Sequence, residues 1–141
     1  MKYLLALLWF TVLSLAGCSN NEDTTTQTNA ETAGPTATFR SIPVSEAKKI
    51  LETRKDIVLL DVRTPEELRY GAIAGSSLVP FWAIMQNKLT LPKETPIMLV
   101  CAVGGRSYAA GQMLARYGYR EVYNVSGGLS AWKEAGYPVN Y

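Results

Sequence analysis

The sequence of 141 residues predicts one α/β domain built on a small, mostly parallel open sheet with helices on both faces. Three observations carry that prediction. Two runs of four, Ile57-Val58-Leu59-Leu60 and Ile97-Met98-Leu99-Val100, are wholly apolar, as in strands covered from both sides. Segments with helical spacing follow each of them. Glycine and proline fall at the joints between the two kinds of segment. A hydrophobic share of 48% is enough to fill the core such a sheet needs.

The fold is expected to be preceded by a signal peptide and a disordered linker. In residues 1–17, Lys2 gives a positive start and an apolar run extends from Leu4 to Leu15. That run is shorter than the roughly 20 apolar residues of a membrane-spanning helix, and it reads as an export signal. Its ending, Leu15-Ala16-Gly17-Cys18, resembles a bacterial lipobox. The resemblance implies cleavage before Cys18 and a lipid on that cysteine. The product would be anchored in a bacterial cell envelope, facing the periplasm or the exterior. A plain signal peptide, or an uncut membrane helix, is the simpler alternative. Residues 18–38 then form the lipidated cysteine and a tether. From Ser19 to Thr38 there is no Leu, Ile, Val, Met or aromatic residue. Such a segment cannot offset its ordering entropy, and as a coil it reaches roughly 25 Å.

The domain is expected over residues 39–141. Ser45 is placed to cap a helix from Glu46 to Glu52. Ile57 to Leu60 is the first strand. Thr64-Pro65-Glu66-Glu67 reads as a helix start with a capping box. Ser77 to Pro80 reads as a short strand and Phe81 to Lys88 as a helix. Ile97 to Val100 is the second strong strand. A helix follows from Ser107 to Tyr117, stopped by Gly118. Glu121 to Val125 is a third strand, and Gly127-Gly128 opens a last helix that ends at Gly136. In open parallel sheets, ligands bind beyond the carboxyl ends of the strands. Asp61, Cys101 and Ser126 share that edge.

Composition removes several kinds of chemistry. The net charge of +2 gives no reason to expect a nucleic-acid partner, and loss of Lys2 with the signal leaves near neutrality. The absence of histidine excludes a His-based metal site and any Ser-His or Cys-His pair. No metal and no cofactor are expected. There are two cysteines and no Cys-x-x-Cys. With Cys18 lipidated, Cys101 is a lone thiol in an exported protein, which points to reactive chemistry.

Cys101 opens the stretch Cys101-Ala102-Val103-Gly104-Gly105-Arg106-Ser107. Gly104 and Gly105 can take positive φ without steric cost. Such a turn aims successive backbone N–H groups at one point. A helix starting near Arg106 or Ser107 adds its positive end, and Arg106 adds a full charge. All three favour a thiolate, and would equally favour a terminal sulfide carried on the sulfur. A lone cysteine is often only a small buried hydrophobe. The order strand, Cys, Gly-Gly, Arg-Ser, helix argues for the reactive reading.

Three segments together resemble a single-domain rhodanese, a sulfurtransferase family. Leu59-Leu60-Asp61-Val62-Arg63-Thr64-Pro65-Glu66-Glu67 is similar to that family's strand with its DVR-x-x-E segment. Residues 101–107 are similar to its active-site loop, commonly C-x-x-G-x-R-S. Ser126-Gly127-Gly128-Leu129-Ser130-Ala131-Trp132, with the later Gly136-Tyr137-Pro138, is similar to its closing segment. The resemblance covers nearly all of residues 39–141. It implies that Cys101 attacks the outer sulfur of a donor (thiosulfate, a polysulfide or a persulfide) and becomes a persulfide. A thiophilic acceptor, cyanide or a small or protein thiol, then removes the sulfur. The loop residues Ala102, Val103, Gly104, Gly105, Arg106 and Ser107 would bind the substrate, with Asp61 and Arg63 in support. The chain departs from the family in having Gly71-Ala72-Ile73 where Gly-His-Ile is common. Ala102 and Val103 leave the loop short of charge for dianionic thiosulfate, which favours polysulfide or thiol-bound sulfur as the donor.

Two other functions fit parts of the pattern. Phosphatases and arsenate reductases also use a Cys-to-Arg loop, but typically with five intervening residues where this chain has four. A module for sulfur carriage or protein docking is the other. Of the remaining residues, Asp61, Arg63, Glu66 and Glu67 are expected to form an ion-pair cluster under the loop, with Arg63 structural. Arg106 divides evenly between pairing and substrate attraction. Trp132 is expected in the core, and Phe81 and Trp82 are expected there ahead of the alternative that they line the pocket mouth.

Overall fold

The computed structural model describes residues 36–141. The export signal over 1–17, Cys18 and the tether as far as residue 35 lie outside the described residues. The chain runs β1 (Thr38–Ile42), α1 (Val44–Thr53), β2 (Val58–Asp61), a 3₁₀ turn (Pro65–Tyr70), β3 (Ser77–Leu78), α2 (Phe81–Met85), β4 (Ile97–Val100), α3 (Gly105–Arg116), β5 (Glu121–Val125) and α4 (Gly128–Glu134). The five strands form one sheet in the order β1-β5-β4-β2-β3, and every pair is parallel.

β4 is central and buried along its whole length, which is why its four residues are all apolar. Its alternate side chains feed two cores. Met98 and Val100 join Ile42, Ala47, Leu59, Val125, Leu129 and Trp132 on the face covered by α1 and α4. Ile97, Leu99 and Cys101 join Leu60, Val62, Ile84, Ala110 and Leu114 on the face covered by α2 and α3. Helices therefore cover both faces, and the parallel strands bring their carboxyl ends to one edge.

Several elements differ from their sequence reading, each for a local reason. β1 lies at the sheet edge, where Thr38, Arg40 and Ser41 stay exposed and dilute the apolar signal. Its ladder bonds to β5, from Thr38↔Glu121 to Ile42↔Val125, make it a strand. α1 starts one residue before Ser45, because the Pro43 carbonyl accepts the first helical bond from Ala47 N–H at 3.0 Å. Ser45 sits inside the first turn and caps nothing. The Thr64-Pro65 start is a 3₁₀ turn, with the Glu67 carboxylate accepting from Thr64 N–H at 3.0 Å. α2 stops at Met85, short of Lys88, and Asn87 then takes a φ of 51°. α3 begins at Gly105, two residues ahead of Ser107. Trp132 is core, donating its indole N–H to Pro138 O at 3.0 Å. Phe81 packs half-buried on the α2–α3 side, whereas Trp82 is 54% exposed and no part of the core.

Candidate active site

β2 and β4 end side by side, with Asp61 paired in register to Val100. Val62 N–H donates to Val100 O at 2.9 Å, so the two chains leave the sheet together. Cys101 is the next residue on β4. Its side chain points toward the α3 side and is 1% exposed.

The loop then folds back over the sulfur. Gly104 takes a φ of +92°, a left-handed conformation that glycine adopts without strain. This turns Gly104 N–H onto Cys101 Sγ at 3.1 Å. Ser107, buried in the first turn of α3, places Oγ 3.4 Å from Sγ and 3.1 Å from Gly104 O. Gly105 has no positive φ and simply starts the helix, so one glycine makes the turn the sequence assigned to two. Burial of the thiol acts to raise its pKa. Hydrogen bonds from the Ser107 hydroxyl and from the N–H groups of Ser107, Val103 and Gly104 act the other way and prevail, so the thiol titrates below its ordinary value.

The other half of the loop is held from α4. Leu129 N–H donates to Cys101 O at 2.8 Å and Ser130 N–H to Ala102 O at 3.0 Å. With those carbonyls drawn outward, the loop's own N–H groups are free to face the sulfur. Close approach of α4 depends on Gly128, whose backbone passes so near that a Cβ there would lie 2.4 Å from Cys101 O. This part of the site is missing from the sequence reading, although Gly127-Gly128 was its visible signal.

The charged residues form two ion pairs, joined where Arg63 donates to the Glu67 carbonyl. Asp61 and Arg63 are 1% and 2% exposed. Arg63 Nε and Nη2 bind the Asp61 carboxylate at 2.7–3.0 Å, and Nη1 and Nη2 donate to Glu67 O at 3.1 Å and Gly71 O at 2.8 Å. Arg63 thus clamps the 3₁₀ turn to the end of β2 and does not reach the sulfur. Arg106 forms a two-pronged pair with Glu67, at 2.7 and 2.6 Å. The Arg106 guanidinium holds the Glu67 carboxyl at about 2, and Glu67 raises Arg106 in return. Arg106 also stands close enough to Cys101 for the sulfur's charge to favour it. Glu66 joins neither pair. Ser126 lies on the expected edge but bonds to Ser41 Oγ at 3.0 Å. Ala72, the departure from the resemblance noted in the sequence, exchanges backbone bonds with Asn140 at 2.7 and 2.8 Å.

The Ser107 contact yields a pH prediction. A Cys101 thiol with its pKa below normal stays ionised down to a lower pH. Ser107→Ala removes one of the bonds that favour the thiolate, so the thiol should titrate at higher pH. The acidic limb of reactivity toward an alkylating reagent should move upward, with little change on the alkaline plateau. An unmoved limb would show that the backbone N–H groups suffice.

A pocket of about 220 Å³ borders the loop, lined by Arg63, Glu67, Tyr70, Ala102, Leu129, Ser130 and Lys133. Val103, at the loop tip, is exposed.

The chain is similar in sequence and fold to known proteins. Residues 43–135 match the rhodanese-like domain family. A sulfurtransferase of Allochromatium vinosum is 34% identical over 95 residues, covering 67% of this chain and 88% of the relative. The thiosulfate sulfurtransferase GlpE of Pseudoalteromonas translucida is 30% identical, covering 69% of this chain and 91% of the relative. The solved structure of a polysulfide-sulfur transferase from Wolinella succinogenes is 30% identical with a TM-score of 0.62, covering 72% of this chain and 78% of that one. The family match covers most of the chain and the relatives' fold agrees with it, so the chain belongs to the rhodanese-like domain family.

Proposed function

We propose that Cys101 carries sulfane sulfur from a small donor to a thiophilic acceptor. The chain is an enzyme of the sulfurtransferase class, and the observation that carries this reading is the Cys101 Sγ held by Gly104 N–H and Ser107 Oγ. With thiosulfate as donor, the Cys101 thiolate attacks the outer sulfur. A new S–S bond forms, the old one breaks, and its electron pair leaves with sulfite. The negative charge then rests on the terminal persulfide sulfur, where the loop N–H groups stabilise it. Cyanide attacks that sulfur next and leaves as thiocyanate, restoring the thiolate. A polysulfide donor enters the same cycle and leaves one sulfur shorter. A thiol acceptor leaves as a persulfide. The two half-reactions split one transfer into two easier ones.

We also propose that the protein is a lipoprotein, anchored through Cys18 in a bacterial envelope. The Leu15-Ala16-Gly17-Cys18 sequence and the polar residues after it support this reading.

One intact-mass measurement on protein expressed in a bacterium tests both proposals. After incubation with thiosulfate or polysulfide, the wild type should gain one sulfur, lose it to cyanide, and begin at an acylated Cys18. Cys101→Ser should gain none. No sulfur adduct from either donor would overturn the sulfurtransferase reading, and a chain that begins before or after Cys18, or carries no acyl groups, would overturn the anchor. A persulfide that forms quickly but is discharged slowly to every acceptor would favour sulfur carriage over turnover.

A further inference from the structure

Of the two cations that line the pocket beside the loop, one has no acidic partner among the described residues. Arg63 is taken up by Asp61, and Arg106 by Glu67. Lys133, in the last turn of α4, makes no ion pair among the described residues. Its ammonium donates to Tyr70 O and lies 5.4 Å from the centre of the Tyr141 ring. Two of its three N–H bonds remain for a ligand. Lys133 and Ser130 stand three residues apart on one face of α4, and both line the pocket beside the loop. Tyr70, also in the lining, takes a hydrogen bond from Arg69 on its phenol oxygen and keeps its O–H to donate.

The pocket's polar groups are therefore mostly donors around an apolar floor of Ala102 and Leu129. The only carboxylate in the lining, Glu67, is neutralised by Arg106. At about 220 Å³ the space is smaller than the roughly 300–1,000 Å³ that hold drug-sized ligands. A ligand of a few heavy atoms carrying a negative charge fits this chemistry.

We propose that Lys133 is a specificity-determining residue of the transfer, selecting small anionic sulfur carriers by holding their charged end in this pocket. The inference rests on the sulfurtransferase reading and names its substrate class. It moves the positive charge that the loop lacks at Ala102 and Val103 to a different element, α4. Arg106, with two of its five N–H bonds given to Glu67, stays beside the sulfur.

The test uses the full-length chain in two arms. In turnover, Lys133→Met should raise KM for thiosulfate and for polysulfide about tenfold, the worth of one charge-assisted contact. The kcat should stay within about twofold, since the contact is the same before and during transfer. KM for a neutral organic trisulfide should not change. Lys133→Glu should raise the anionic KM further, and Lys133→Arg should restore it. In the second arm, calorimetry follows thiosulfate binding to Cys101→Ser, which cannot turn over. The additional Lys133→Met change should weaken that binding about tenfold. Equal effects on neutral and anionic donors, or unchanged thiosulfate affinity in the calorimeter, would overturn the role of Lys133. Lysine-dependent binding without any turnover by the wild type would instead remove the enzymatic reading and leave the anion site standing.

Discussion

Alanine at Gly128 is expected to disable the site while alanine at Gly105, in the catalytic loop itself, is expected to do almost nothing. Gly128 has a φ of +57°, and a Cβ there would sit 2.4 Å from Cys101 O, 2.8 Å from Gly104 N and 2.9 Å from the carbonyl carbon of Ala102. All three are backbone atoms, so no side chain can swing aside. The left-handed conformation costs about 1–2 kcal/mol for a residue with a Cβ. Overpacking adds roughly 1–3 kcal/mol. The structure can relieve the clash only by moving α4 away from the loop. That breaks the bonds from Leu129 N–H to Cys101 O and from Ser130 N–H to Ala102 O, which hold the loop carbonyls outward. The N–H groups around the sulfur then lose their aim. A displacement of 1 Å at reacting atoms can cost about 100-fold in rate, and a fall of that size in sulfur transfer is expected. The melting temperature should drop on the order of 10 °C. Gly105 has an ordinary φ, and nothing lies within 4 Å of its would-be Cβ. Gly105→Ala should keep both activity and melting temperature near wild type. Parallel rate and melting measurements decide the matter, and equal tolerance at the two positions would show that α4 does not hold the loop in shape.

That contrast also marks what the sequence could and could not disclose. Apolar runs betrayed β2 and β4, because central strands bury every residue. β1 escaped notice because an edge strand need not be apolar, and its pairing partner β5 lies 83 residues away in register. The cysteine loop was legible as strand, turn and helix, since those cues are local. The local cues did not say which glycine turns: Gly104 and Gly105 look alike in the chain, and only the packing of α4 against the loop separates them. Nor could they say where Arg106 points. Its partner Glu67 is 39 residues distant, and only the meeting of β2 and β4 at one edge brings the two together. Trp82 illustrates the opposite error. Its size suggested the core, but a helix of five residues turns one narrow face inward, and Ile84 fills it.

The largest loss of stability is expected from Arg63→Met. The substitution keeps much of the side chain's bulk and removes its charge. The Asp61 carboxylate, 1% exposed, would then keep only the bond from the backbone N–H of residue 63, at 3.0 Å in the native protein. Breaking one half of a buried ion pair costs about 3–5 kcal/mol, because the remaining charge has neither water nor a partner. The carbonyls of Glu67 and Gly71 lose their donors as well. Against a total stability of about 5–15 kcal/mol, the domain should be marginal or unfolded at physiological temperature. The comparison that isolates the cause is Asp61→Asn with Arg63→Met. Removing both charges leaves a neutral amide in place of a stranded anion, so the double variant should be more stable than Arg63→Met alone. Urea titrations of the three proteins supply the cycle. A double variant no better than the single would mean that the Arg63 bonds to the 3₁₀ turn, and not its charge, hold this corner together. The coupling reaches the sulfur through that turn. The two carbonyls bound by Arg63 fix the segment that carries Glu67, and Glu67 in turn holds Arg106 beside Cys101. A pair buried beneath the sheet edge therefore governs a charge that stands at its mouth, and the transfer rate of any folded Arg63 variant should fall along with its stability.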